Sequence, residues 1–265
     1  MKKNKQENQE KTAKQKSKKD PIEKINQNEN KIENNTNKSI FHQYLWYTLI
    51  FSILGLIVEI IFTLATKGKL ENRSGLILGP LCIIYGLAVA AVIALLNRYK
   101  GHKIKLFIYG AILGTAIEYL TSFVLEAVWG IRFWNYSWTK FNICGRICLQ
   151  YTILWGILTL IIIEVVKKYL DKLINKIQGK PGKIVDIIIT TLIIIETIFT
   201  IWGITVYSVR AKETLNGKNY ISNNNVIEKF QNTVFSNDIM EKIFPNLQII
   251  DNDGNEILVI NIFNK

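Results

Sequence analysis

Cysteine and histidine are both scarce here: three Cys and two His in 265 residues. An odd cysteine count excludes a complete disulfide framework. Cys144 and Cys148 stand four residues apart, a spacing met in metal sites, but a structural metal wants further soft ligands. His42 and His102 fall at the far ends of other apolar runs, so no metal and no other cofactor is expected. The phosphate-binding pattern G-x-x-x-x-G-K-[ST] is missing, so the chain is not by itself an ATPase of that kind. No recognisable nucleophile–base pair occurs either, and no catalytic residue is assigned. Asp251, Asp253 and Gly254 hint at a calcium loop, but the glycine arrives too early and one ligand position is missing.

Charge is lacking where a membrane would exclude it. Between Phe41 and Thr66 the only formally charged residue is Glu59, and between Leu106 and Val128 only Glu118 and Glu126. Windows 41–66, 76–97, 106–128, 147–166 and 184–207 each supply roughly 20 mostly apolar residues, the length that crosses a hydrocarbon core. The expected fold is therefore an all-α integral membrane protein of five transmembrane helices. The first run starts after 40 polar residues and is longer than a signal-peptide core, so it predicts a retained anchor.

The formal net charge of +12 is mostly an orientation signal. Connection Asn97–Lys105 carries Arg98, Lys100, Lys103 and Lys105 with no acid, and Lys167–Lys183 carries six lysines against Asp171. An excess of Lys and Arg marks cytoplasmic connections. The N-terminus is expected inside and, with five spans, the C-terminus outside, in the cell membrane. Residues 1–40 hold eleven Lys, six acids and no aromatic residue to stack on bases. They read as a disordered cytoplasmic tail touching anionic lipid, and nucleic acid is set aside as a partner. Residues 41–207 form the membrane domain and 208–265 a small α+β extracytoplasmic appendage. In that appendage 226–244 has helical spacing, while 247–250 and 256–263 read as strands around Asp251-Asn252-Asp253-Gly254.

Inside the spans, polar and small residues form stripes. Gly110, Gly114, Glu118, Ser122 and Glu126 recur every four residues and so share one helical face. Gly55, Glu59, Thr63 and Lys67 repeat the device in the first span, and Cys82, Gly86, Ala90 and Ala94 in the second. Small residues let membrane helices approach closely, and the simplest packing brings these three faces together. Intramembrane carboxylates mark functional sites by default. Arg73, Arg132 and Arg146 lie on the two outer connections, within reach of Glu59, Glu118 and Glu126. With Ser122 these residues form a candidate cluster for a solute, a proton or ion pairing. Glu196 is a secondary candidate, whereas Glu164 and Asp186 read as interfacial. The aromatic connection Trp129–Arg146 reads as a headgroup-level belt, with a lid over the acidic cluster as the alternative.

Several motifs, in order, carry a resemblance over about residues 45–165. These are Glu71-Asn72-Arg73, Gly79-Pro80-Leu81-Cys82, Tyr85-Gly86, Glu118-Tyr119-Leu120-Thr121-Ser122 with Glu126, Trp134-Asn135-Tyr136-Ser137, Phe141-Asn142, Gly145-Arg146-Ile147-Cys148 and Trp155-Gly156. The chain resembles the type IV ABC-transporter membrane family, also called CmpB-like. It departs from that pattern at Asn135, Lys140 and Cys144, where Asp, Pro and Asn are usual. The resemblance implies a permease-like component that recruits a separate nucleotide-binding ATPase subunit. Because five helices are few for a pathway, a homo-oligomer is also expected. Two other readings stand beside it: a structural or regulatory membrane protein whose ion pairs only fix helix packing, and a membrane enzyme acting on lipid or envelope material.

Overall fold

The computed structural model describes residues 40–177, 180–217, 225–251 and 254–263. The chain divides into two compact units, Met1–Tyr44 and Leu45–Lys265. Of the first, only 40–44 are described, and they are helical. The tail expected to be disordered thus lies outside the described residues, as do 252–253 of the expected C-terminal turn.

Four helices are long and apolar enough to cross a membrane: α1 (Ile40–Lys67), α3 (Lys103–Trp129), α4 (Leu149–Ile177) and a fourth over Gly182–Leu215, whose helical run α5 begins at Lys180. Many of their apolar side chains point outward; Val58, Ile61, Ile112, Ile187 and Ile198 are all exposed. This pattern suits a lipid solvent, in which helices satisfy every backbone group internally. Helix α4 is continuous, but it loosens into a π turn at Ile161–Val166.

One of the five expected spans, window 76–97, is not confirmed as a helix long enough to cross a membrane. Only Ile83–Leu96 is α-helical there (α2), with a 3-10 turn at Asn97–Tyr99. The apolar helix Ile83–Tyr99 is shorter than the four others. Proline at 80 has no N–H and disfavours a helical conformation at Gly79, so the apolar stretch Leu76–Leu81 stays irregular. It turns back beside α1, where the Cys82 amide donates to the Ser52 carbonyl at 3.2 Å. Ser52 lies roughly 22 Å along α1 from its end at Lys67.

Irregular backbone at that depth must find partners within the protein, and it does. The amide of Ile77 donates to Thr200 Oγ1 at 3.1 Å, and those of Leu78 and Gly79 donate to Glu196 Oε1 at 2.6 and 3.3 Å. Ser74 Oγ lies within hydrogen-bond distance of the carbonyls of Leu76 and Gly79, at 2.8 and 2.6 Å, and offers its one proton there. The mid-span carboxylate of Glu196 therefore has a structural task that composition did not disclose.

The small-residue stripes pair differently from the simplest expectation. A Cβ on Gly86 would lie 2.1 Å from the Thr48 carbonyl oxygen, and one on Gly55 would lie 2.6 Å from Tyr85, so α1 and α2 do meet along their stripes. The glycines of α3 instead meet α4. A Cβ on Gly110 would strike Thr159 at 2.3 Å, and one on Gly114 would strike Trp155 at 2.5 Å. Gly156 on α4 returns the contact against Phe107. Turned this way, the stripe aims Glu118 at α4 and at the connection before it.

At the end of the bundle opposite the basic connection 97–105, strand β1 (Ile131–Arg132) leaves α3, and β2 (Asn142–Ile143) pairs with β3 (Ile147–Cys148). The C-terminal segment folds onto this end as α6 (Val226–Val234), α7 (Asn237–Ile243), β4 (Gln248–Ile250), β5 (Glu256–Leu258) and α8 (Val259–Phe263). Strands β1, β4 and β5 make one antiparallel sheet, with Ile131 opposite Ile249 and Ile249 opposite Ile257. Two details depart from expectation. The helix expected over 226–244 breaks before Ser236, whose hydroxyl caps α7. The second strand stops at Leu258 and continues as α8. Ile131, Tyr207, Phe235, Met240, Phe244, Leu247, Ile249 and Val259 form one buried core, so the segment is fused to α5 and to the aromatic connection.

Candidate functional site

Three consecutive acidic or polar turns of α3 reach different surroundings. Nearest the helix end, Glu126 is clamped by two guanidinium groups. Arg132 approaches Oε2 through Nη2 at 2.6 Å and Nε at 2.7 Å, and Arg146 through Nη2 at 2.6 Å. Gly130 ends α3 in a left-handed conformation, φ 62°, which reverses the chain and brings Arg132 back beside Glu126. Arg132 also holds Glu256 of β5 at 2.6 Å, and the same carboxylate accepts a hydrogen bond from Asn135. The Arg146 guanidinium lies over the rings of Tyr119 and Phe123 at 5.5 and 5.7 Å, and its Nε has no hydrogen-bond partner among the described residues.

One turn deeper, Ser122 is only 2 % exposed and its hydroxyl has no partner among the described residues. A further turn inward, half-buried Glu118 accepts one hydrogen bond on each oxygen, from Tyr136 Oη at 2.8 Å and from Trp155 Nε1 at 3.1 Å. Glu59, also half-buried, accepts from the Tyr85 hydroxyl. The Tyr85 and Trp155 rings are 6.5 Å apart, and Tyr136 stacks on Tyr151 at 4.8 Å. An aromatic chain therefore joins the two carboxylates. Neither makes a salt bridge among the described residues.

The aromatic connection is folded so that Tyr136 reaches inward. The Tyr136 amide donates to the Gly145 carbonyl at 2.8 Å, and Trp134 Nε1 donates to the Arg146 carbonyl at 3.0 Å. Gly145 has φ 68°, and a Cβ there would lie 2.5 Å from Asn135 Oδ1, so the turn needs glycine both for its conformation and for space. Trp138 and Phe141 point outward, 81 % and 78 % exposed. The segment thus has an outward aromatic face, as a belt requires, and an inward face over Glu118. Burial, then the charge of Glu118, pushes the Tyr136 phenol far above its ordinary range, so it remains a hydrogen-bond donor at physiological pH.

The expected cluster is therefore split. Arg132 and Arg146 both take Glu126. Arg73 takes neither Glu59 nor Glu118: its Nε donates to Thr63 Oγ1 at 2.9 Å and its Nη2 lies 3.3 Å from Glu71. Four partners escaped residue-by-residue reading. Tyr85, Tyr136 and Trp155 stood in the motifs without a role, and Glu256 gave no signal because its strand reaches the site only through the β1–β4–β5 sheet. At the opposite end, Glu164 accepts from the Gly101 amide at 2.6 Å and Asp186 from Trp46 Nε1 at 3.0 Å.

Apolar helices long enough to cross a bilayer, with carboxylates held between them, define a helical membrane protein. The chain belongs to the family described as Putative ABC-transporter type IV, whose match runs over residues 46–201. That match reaches beyond the motifs through α4 and most of α5, and it stops before the C-terminal segment that supplies Glu256. No curated protein and no solved structure matches the chain.

Proposed function

We propose that this protein is a multi-pass permease component of an ABC-type transport system, with Glu59 and Glu118 as the solute- or proton-contacting groups. The observation that carries the reading is that, among the described residues, neither carboxylate has a basic partner, although three arginines lie on the neighbouring connections. A carboxylate kept without a counter-charge in a low-dielectric region is costly, and a transported cation or proton would supply that charge. Glu126 stands at the entrance, while Arg73, Arg132 and Arg146 set the charge around it. The short α2 and the irregular stretch before it complete a fifth crossing, with the N-terminus and connection 97–105 on the cytoplasmic side. With no phosphate loop of its own, the chain takes its energy from a separate ATPase subunit docking there, and self-association supplies the remainder of a pathway. A mild-detergent pull-down of the tagged chain tests this: stoichiometric recovery of a nucleotide-binding subunit is expected, and its consistent absence refutes the ABC reading.

Glu126 favours a second reading for its own part of the site. Held by Arg132 and Arg146, it fixes helix and connection in register, as a structural or regulatory protein would need. Exchanging Glu126 and Arg146 separates the two roles. A purely structural pair regains folded yield on exchange, whereas an entrance residue regains yield without transport.

A further inference from the structure

We infer that the solute taken by Glu59 and Glu118 is an organic monocation with an ammonium head; this rests on the reading of the two carboxylates as a solute site. Charge excludes the other classes first. Arg73 is committed to Glu71 and Thr63, and Arg132 and Arg146 to Glu126, Arg132 also binding Glu256. The carboxylate of a zwitterion therefore meets Glu59 and Glu118 with no guanidinium whose charge is not already paired; of these groups only the Arg146 Nε–H is left without a partner among the described residues, and the charge of Arg146 is taken by Glu126. The donors that do reach the two glutamates, Tyr85, Tyr136 and Trp155, are neutral. They orient the carboxylates and leave the charge uncompensated.

Ring surface and the orphan hydroxyl then select the kind of cation. Tyr85, Tyr136 and Trp155 touch the carboxylates through their O–H and N–H groups and pair as Tyr85–Trp155 and Tyr136–Tyr151, so the site is walled by aromatic rings, and electron-rich ring faces attract substituted ammonium groups. A hard divalent cation instead wants about six to eight oxygen ligands. Among the described residues no three His, Cys, Asp or Glu side chains gather to begin such a set. Ser122 adds an independent sign of a ligand. Its hydroxyl is buried, without a partner among the described residues and one turn from Glu118 on the same helical face, a free acceptor for an ammonium N–H.

The test uses the full chain in lipid nanodiscs and three probes at matched ionic strength: methylammonium chloride, glycine and sodium chloride. Glycine is methylammonium with a carboxylate added, so the first two probes isolate the effect of that charge. Tryptophan fluorescence, with Trp155→Phe identifying the reporting residue, is expected to change saturably with methylammonium alone. Glu118→Gln and Glu59→Gln should each raise the half-saturation concentration about tenfold, the effect of one lost charge-assisted contact. Glycine or sodium acting as strongly as methylammonium, or no saturable response in the wild type, overturns the inference. A response to pH alone also overturns it and leaves the site as a proton relay. The probe comparison is made on the wild type, so it holds even if the glutamine variants do not fold. Loss of the ATPase in the pull-down would sink the permease reading without altering the binding curve, which keeps the two failures apart.

Discussion

Removing Glu196 should loosen the irregular stretch before α2 while leaving the helices in place. In the native protein one carboxylate oxygen accepts the amides of Leu78 and Gly79, which have no helical carbonyl to use. Hydrogen bonds to a charged acceptor contribute about 1.5–3 kcal/mol each. Losing both, one of them long, lowers the local opening free energy by roughly 3 kcal/mol, which raises the opened population about 100-fold. Cys82 reports on this opening, because it is half-buried and directly follows the stretch. In a Cys144→Ser background, Glu196→Ala should speed alkylation of Cys82 by up to about that factor when reclosing outruns the reagent. Cys148, buried in β3, serves as the internal reference. Glu196→Gln keeps a neutral acceptor and should give an intermediate rate, about tenfold faster than wild type. An unchanged Cys82 rate in Glu196→Ala would refute the claim that this carboxylate satisfies the broken backbone.

Gly86→Ala places a methyl against the Thr48 carbonyl at 2.1 Å; a cost of about 1–3 kcal/mol is expected for overpacking, read as a lower unfolding temperature in detergent, and no change would mean that α1 and α2 do not meet there. Arg146→Ala strips one of two guanidiniums from Glu126, which keeps Arg132, and should destabilise by about 1.5–3 kcal/mol, whereas Glu126→Gln with Arg146→Met should recover most of that loss in the same thermal assay. Phe235→Ala opens the core shared with Tyr207 and Met240; about 3–5 kcal/mol is expected, seen as faster proteolysis within 225–263 while α1–α4 remain protected. Tyr136→Phe removes one donor from Glu118 and should weaken methylammonium binding several-fold by leaving that carboxylate less firmly oriented, checked by the same fluorescence titration.

The long apolar helices were legible because lipid imposes one simple rule: roughly 20 apolar residues with all backbone groups bonded internally. Windows 41–66 and 106–128 became α1 and α3 within a few residues. Window 76–97 misled for the same reason, since Leu76, Ile77 and Leu78 are as apolar as any helical residue. The opposing signal of Gly79-Pro80 carries its meaning only when partners exist to satisfy a broken backbone. Those partners, Glu196 and Thr200, lie about 120 positions later in the chain.

The stripe on α3 was likewise plain from four-residue spacing, because helical periodicity alone places Glu118, Ser122 and Glu126 on one face. Which charge each one meets was not. Three acids and three arginines of similar apparent reach allow many pairings, and local sequence carries no distance information to choose among them. The choice was made by Gly130 reversing the chain, by Gly145 folding the connection so that Tyr136 turns inward, and by a C-terminal sheet that brings in Glu256. The membrane helices and the acidic face are written locally in the chain, because both follow from short-range periodicity and transfer free energy. Tertiary structure alone decided that Glu126 is neutralised while Glu59 and Glu118 are left to tyrosine and tryptophan, because that depends on where distant segments close on one another.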